Sequence, residues 1–196
     1  MKNTKFFALS AVAAVAMAAT PALAHTGLPG HEHAGLAAGL LHPLNGLDHL
    51  LAMVAVGLWS ALAAKGVGSK MWLAPVAFVT AMLLGAAAGF VGIALPLVET
   101  GIALSLVALG LMIIGRVELP AVAGASLIAL FAVLHGHAHG AEAAGSIALY
   151  MAGFTLTTAA LHVSGILLGT GLLNKRVTTV LMGSLIAAAG TYFLAA

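Results

Sequence analysis

The sequence predicts an all-α membrane protein in which six transmembrane helices follow a cleaved signal peptide. Three observations predict it. Hydrophobic residues make up 62% of the chain and charged residues only 6%, where a soluble domain carries roughly 25% charged residues. Mean hydropathy is +1.16. The apolar residues are also grouped into runs long enough to cross a hydrocarbon core about 30 Å thick, which takes about 20 residues at about 1.5 Å each. A length of 196 residues suits one compact membrane domain.

The first segment reads as a targeting signal. Lys2 and Lys5 form a basic n-region, Phe6 to Ala19 an apolar h-region, and Ala22-Leu23-Ala24 a small-residue cleavage site. Pro21 and the shortness of the apolar run argue against a retained first span. Cleavage after Ala24 leaves residues 25–196 as a single six-helix domain, with His25 as its N-terminus outside the cytoplasm.

The spans expected in order are Ala34–Ala64, Met71–Leu95, Leu97–Gly115, Leu119–His137, Gly145–Leu172 and Val177–Leu194. The breaks between them carry charges, prolines or small residues. Splitting the long first segment at Pro43 gives an alternative count of about seven spans. Basic residues set the orientation, because they collect on the cytoplasmic side. With the N-terminus outside, Lys65 and Lys70 fall in the first loop, Arg116 in the third, and Lys175 and Arg176 in the fifth. All of these loops are then cytoplasmic, and both ends of the mature chain face the periplasm of a bacterial inner membrane. His25, His31 and His33 lie outside, and the run His135-Gly-His137-Ala-His139-Gly-Ala-Glu142 sits at the external end of the fourth span.

Composition also narrows the chemistry. A formal charge of +2 is too small to imply nucleic-acid binding, and the absence of cysteine removes disulfides, thiolate metal sites and thiol catalysis together. Nine histidines outnumber both the five acids and the seven lysines plus arginines. That imbalance is what a functional reading must explain.

The first span contains Leu41-His42-Pro43-Leu44-Asn45-Gly46-Leu47-Asp48-His49. An aspartate inside an apolar span costs about 2.5 kcal/mol or more on insertion scales, so it faces a cavity or a partner. Neighbouring helical positions point about 100° apart, which favours a third group, such as a cation, between Asp48 and His49. The alternative is an ordinary structural hydrogen bond. His42 and His49 share a face but stand about 10.5 Å apart along an ideal helix. A break would bring them together. Pro43 lacks an amide hydrogen and disfavours helical geometry at His42, and Asn45-Gly46 loosens the next turn. Broken helices of this kind build the ion sites of secondary transporters; otherwise Pro43 merely starts a helix that His42 caps.

The second constellation is His135-x-His137-x-His139-x-x-Glu142. On a helix His135 and His139 share a face; in an extended chain all three histidines do. Either form chelates, and Gly136 and Gly140 allow the chain to bend. Imidazole with carboxylate suits Ni²⁺, Zn²⁺, Co²⁺ or Cu²⁺, whereas Mg²⁺ and Ca²⁺ prefer oxygen alone. A solvated loop with incidental histidines is the bland reading. His162, inside the fifth span one turn after Thr158, is either a third ligand or a structural hydrogen-bond partner. Glu99 follows Pro96 at the start of the third span, as an exposed helix-start acid or an entrance ligand. His25, His31, Glu32 and His33 read as an external collector, with the free amine of His25 as a further donor. Phe78 and Met53 read as packing residues. Gly85…Gly89, Gly165…Gly169 and Gly183…Gly190 read as close-packing surfaces.

At these motifs the chain resembles the HupE/UreJ family of nickel permeases. The pattern His42-x5-Asp48-His49, read as HPLNGLDHLLAM followed by Val56-Gly57, is similar to the family's first-span signature. HGHAHGAE resembles its fourth-span motif, and Leu161-His162-x-x-Gly165 its fifth. The likeness covers the whole chain. It implies secondary or energy-independent uptake of nickel, often to supply hydrogenase or urease, with cobalt, copper or zinc as alternative cargo. It also implies roles for His42, Asp48, His49, Glu99, His139 and Glu142. The expected partners are the lipid bilayer, the divalent ion and a periplasmic metal donor, with no tightly bound cofactor.

Two other classes compete. A membrane cytochrome would ligate haem through His49 and His162, but haem explains neither Asp48 beside a ligand nor the external histidines. A metallohydrolase is disfavoured because His31-Glu32-His33 lacks the H-E-x-x-H spacing. No G-x-x-x-x-G-K-[ST] loop is present to bind ATP. The signal-peptide expectation has a direct test. N-terminal sequencing of membrane-purified protein should read His-Thr-Gly-Leu-Pro, and an intact Met1 would remove the proposed amine donor.

Overall fold

The structure is a computed structural model that describes residues 34–66, 68–143 and 146–196. The signal-peptide expectation for residues 1–24, and His25, His31, Glu32 and His33, lie outside the described residues. The described residues form seven α-helices: α1 (Ala34–Asn45), α2 (Leu47–Ala63), α3 (Leu73–Phe90), α4 (Val98–Gly115), α5 (Ala121–Glu142), α6 (Ile147–Gly171) and α7 (Arg176–Ala195). A 3₁₀ turn, Ser69–Trp72, leads into α3, and no strand is present among the described residues. A bilayer offers no water to backbone amides, so helices that satisfy their own hydrogen bonds are the natural solution.

Among the described residues five helices, α3 to α7, are long and apolar enough to cross a membrane, and α1 with α2 passes the same test as a pair bent by 80°, a broken span or a re-entrant loop. The chain is a multi-pass membrane protein. Large apolar side chains such as Leu84, Leu130, Leu156, Leu167 and Leu185 face outward, as lipid contact requires. The fourth span runs five residues beyond the expected end at His137, to Glu142, so the histidine run is helical.

The first span does break within the Pro43–Gly46 stretch, as the sequence predicts, while the alternative split at Pro43 itself is not seen. Pro43 lies inside α1, and the chain turns at Gly46, which is extended (φ −95°, ψ 112°). Pro43 withholds the amide that would tie the last turn of α1 to the Gly39 carbonyl. The helix then gives way three residues on, at Gly46, whose helical preference is poor and which has no side chain to restrict its backbone. Alone, α1 has 12 residues, about 18 Å, too short to cross the hydrocarbon.

Glycine sets how closely the helices approach. A methyl group on Gly136 would collide with the Met82 carbonyl, one on Gly140 with the Ala86 carbonyl, and one on Gly85 with the Val133 carbonyl, so α3 and α5 meet backbone to backbone. The same holds for α2 and α6 through Gly57 and Gly165, and for α4 and α7 through Gly110 and Gly183. Gly136 and Gly140 were expected to bend the chain; inside a continuous helix they serve contact instead. The physical reason is that packing against α3 satisfies them without any departure from helical geometry.

One end of the bundle gathers the basic loops. Lys65 Nζ lies 2.9 Å from Glu118 Oε2. Arg116 donates to the carbonyls of Leu173 (2.6 Å) and Leu172 (3.0 Å) and to the Thr179 hydroxyl (3.1 Å). Arg176 donates to the Ile114 carbonyl (2.6 Å). The loops after α2, α4 and α6 are thereby tied into one collar, as the segregation of basic residues anticipated.

The glycine contacts predict a contrast in stability. Gly136→Ala should destabilise by about 1–3 kcal/mol, the usual penalty for overpacking. Gly171→Ala meets no neighbour within 4 Å and should be neutral or gain up to about 1 kcal/mol from helix propensity. Thermal unfolding of the two variants in detergent measures the difference, and equal melting temperatures would contradict the packing account.

Candidate functional site

The break at Gly46 places Asp48 and His49 in the first turn of α2, where backbone amides have no helical partner. Asp48 Oδ1 accepts the backbone amide of His49 (2.8 Å) and lies 2.8 Å from its ring Nδ1. The expectation of a third group wedged between the two side chains is therefore not met. The carboxylate folds back over its own turn, and a neighbouring ring can reach it there. Gly46 leaves the room: an added Cβ would lie 2.9 Å from Asp48 Oδ1 and 3.1 Å from His49 Nδ1. A negative group at this position also complements the positive end of the helix dipole.

Around that pair the histidines converge. Ring centroids of His49 lie 4.4 Å from His139, 5.2 Å from His135 and 6.3 Å from His42. His42 and His139 are 4.6 Å apart. The bend thus closes the gap between His42 and His49 that a straight helix would open, and adds two rings from α5. An ion about 2.1 Å from an imidazole nitrogen lies roughly 3 Å from the ring centre. Two rings on one ion therefore have centres within about 6 Å, the spacing found here. The rings meet edge to face, and among the described residues no three His, Asp or Glu side chains already sit in coordination geometry.

The tautomers follow from the partners. A carboxylate only accepts, so His49 Nδ1 carries the hydrogen and Nε2 presents its lone pair inward. His135 Nδ1 lies 2.9 Å from the Phe131 carbonyl, which likewise leaves His135 Nε2 as an acceptor. Both Nε2 atoms are buried without a hydrogen-bond partner among the described residues, as are both ring nitrogens of His139 and of His162. Orphaned polar atoms of this number are costly in an apolar interior. They suit a cation, and a carboxylate or carbonyl behind a ligating imidazole is the usual way proteins orient such a ring.

The remaining expected residues divide. His135 and His139 are both fully buried, while His137 turns to the other side of α5 and donates from Nε2 to the Ile93 carbonyl (2.6 Å). The run is thus a helical i, i+4 pair, and the three-histidine extended chelate is excluded because α5 continues through it. Glu142 ends α5. Glu99 is exposed in the first turn of α4. His162 is buried on α6, and the Phe78 ring stands 5.0 Å from it and 5.6 Å from His135. Phe154 and Tyr150 also border the cluster, at 3.9 Å from His139 and 5.8 Å from His42. Sequence reasoning missed both, because an aromatic residue in an apolar helix carries no signal of its own.

Comparison with known proteins agrees with the motifs. The sequence profile described as HupE / UreJ protein matches residues 13–193. Protein HupE of Rhizobium leguminosarum bv. viciae is 41% identical over 184 residues, covering 92% of this chain and 94% of that protein. No solved structure matches the chain.

The tautomer argument is testable without any metal. Nitrogen NMR of histidine-labelled protein should show His49 and His135 as Nδ1–H forms. Asp48→Ala should shift His49 toward the other tautomer and leave His135 unchanged. A His49 signal indifferent to loss of the carboxylate would refute the assignment.

Proposed function

Because the chain belongs to the HupE/UreJ family, we propose that it is a secondary transporter that takes a divalent transition metal, nickel first, into the cell across a bacterial inner membrane. The observation that carries this reading is the cluster of His42, His49, His135 and His139 around the Asp48–His49 pair, at the break of a bent span. Neutral imidazoles with one carboxylate suit borderline metals such as Ni²⁺ and disfavour Mg²⁺ and Ca²⁺. Cobalt, copper or zinc would fit the same donors.

In this mechanism the ion is cargo. It leaves the periplasm, loses water to the imidazole nitrogens, and is held where the buried orphan nitrogens lie. Asp48 acts in two ways: its negative charge offsets the cation, and its bond to Nδ1 holds the His49 ring with Nε2 toward the ion. Glu142 and the N-terminal histidines belong to the entrance side. The collar of basic loops marks the cytoplasmic side by the positive-inside rule.

Uptake of radioactive nickel by cells expressing the protein tests the reading. Asp48→Asn keeps the shape of the side chain but removes its charge, and His49→Gln removes the ligand nitrogen. Each should lower uptake at limiting nickel by tenfold or more (about 1.4 kcal/mol per decade) while expression holds. Thr158→Ala should have a milder effect. Wild-type uptake by the Asp48→Asn protein would retire the mechanism.

A further inference from the structure

His162 is difficult to explain as a structural residue. It is buried on α6, and neither ring nitrogen has a hydrogen-bond partner among the described residues. One turn away, the Thr158 hydroxyl points at two thioethers, Met53 Sδ at 3.3 Å and Met82 Sδ at 3.8 Å. Met53, Met82 and Thr158 are each fully buried. They come from α2, α3 and α6, so three separate helices bring soft or polar atoms together in the interior.

Depth relates this point to the histidine cluster. Counted from the end of each helix at the basic collar, Met82 lies nine residues from Leu73, His162 nine from Gly171 and Met53 ten from Ala63. At about 1.5 Å per residue these positions are about 14–15 Å in. His49 and His135 each lie fourteen residues from the same ends of α2 and α5, about 21 Å in. By backbone position His162, Met53 and Met82 therefore lie roughly 6 Å inward of His49 and His135, with Thr158, thirteen residues from Gly171, between the two levels. The Phe78 ring touches His135 of the outer group and His162 of the inner one.

Resting on the transport reading above, the geometry points to a second, inner metal station formed by His162 and the thioethers of Met53 and Met82, with Thr158 holding the sulfurs and the Phe78 ring packed against both His162 and His135. Its donors are neutral and soft. Thioether sulfur with imidazole accepts late transition metals such as Ni²⁺ or Cu⁺ and rejects hard ions that demand oxygen. Lacking a carboxylate, it holds a divalent ion more weakly than the outer cluster. A path of successive sites conducts when each binds well enough to enter and weakly enough to leave. The methionines thus act as a selectivity point on the route inward, beyond their part in packing.

Sulfur makes the station visible. Full-length protein in detergent, held in excess free Ni²⁺, is assayed by equilibrium dialysis and by nickel-edge X-ray absorption. The wild type should show nickel–sulfur scattering and bind one ion more than Met53→Leu/Met82→Leu, which keeps apolar volume and should show a nitrogen and oxygen shell only. His49→Gln should lose the outer ion and keep the sulfur signal. Nickel bound to wild type without sulfur scattering overturns the inner station and leaves nickel transport standing. Wild type that binds no nickel at all overturns the transport reading and the station with it. The wild-type spectrum decides even where a variant fails to fold.

Discussion

A bilayer supplies no hydrogen-bond partners to polar groups placed in it, and this constraint shapes every part of the molecule. Continuous helices meet it by bonding to themselves. Their glycine faces then let backbones come into contact, as between Gly136 of α5 and the Met82 carbonyl of α3. The exception is Gly46, where the chain leaves helical geometry and the first turn of α2 opens inside the bundle. Asp48 closes that opening by accepting the His49 amide, and in doing so captures the His49 ring as well. One local repair of the backbone thus becomes the anchor of a site.

Seen from there, the histidine cluster is an imbalance that the packing preserves. His139 sits against the Phe154 ring at 3.9 Å and has neither nitrogen paired among the described residues. The close helix contacts leave those rings little room to turn toward lipid or water. Tight α3–α5 and α2–α6 seams hold the orphan nitrogens together, where a looser bundle would let them relax apart.

Much of this was legible in the sequence because hydropathy and charge act locally. The spans, the basic loops and the attention drawn to Asp48 and His49 inside an apolar segment all follow from the cost of polar groups in hydrocarbon. The depth of the histidine run was harder to read. Glycines beside His135 and His139 resemble loop residues until a partner helix is known to press on them. The break fell at Gly46 rather than Pro43 because a proline near a helix end weakens one bond, whereas the turn itself needs an extended residue. Glu99 and His139 look equally like ligands on paper, and only packing separates an exposed helix start from a buried cluster. Met82 was invisible, because one methionine in an apolar helix means little until a hydroxyl from another helix points at its sulfur.

The charge count of the cluster has an electrical meaning. Among its described side chains Asp48 is the single carboxylate, set among neutral imidazoles with lone pairs already turned inward. On the transport reading, a divalent ion seated there is half neutralised and need displace no proton to bind. It crosses with its own two charges, and each charge moved through 100 mV is worth about 2.3 kcal/mol. An inside-negative membrane of that potential therefore drives the ion inward by roughly 4.6 kcal/mol, an accumulation of about three orders of magnitude. Such a carrier works as a rectifier of the resting potential, and the cation brings its own driving force.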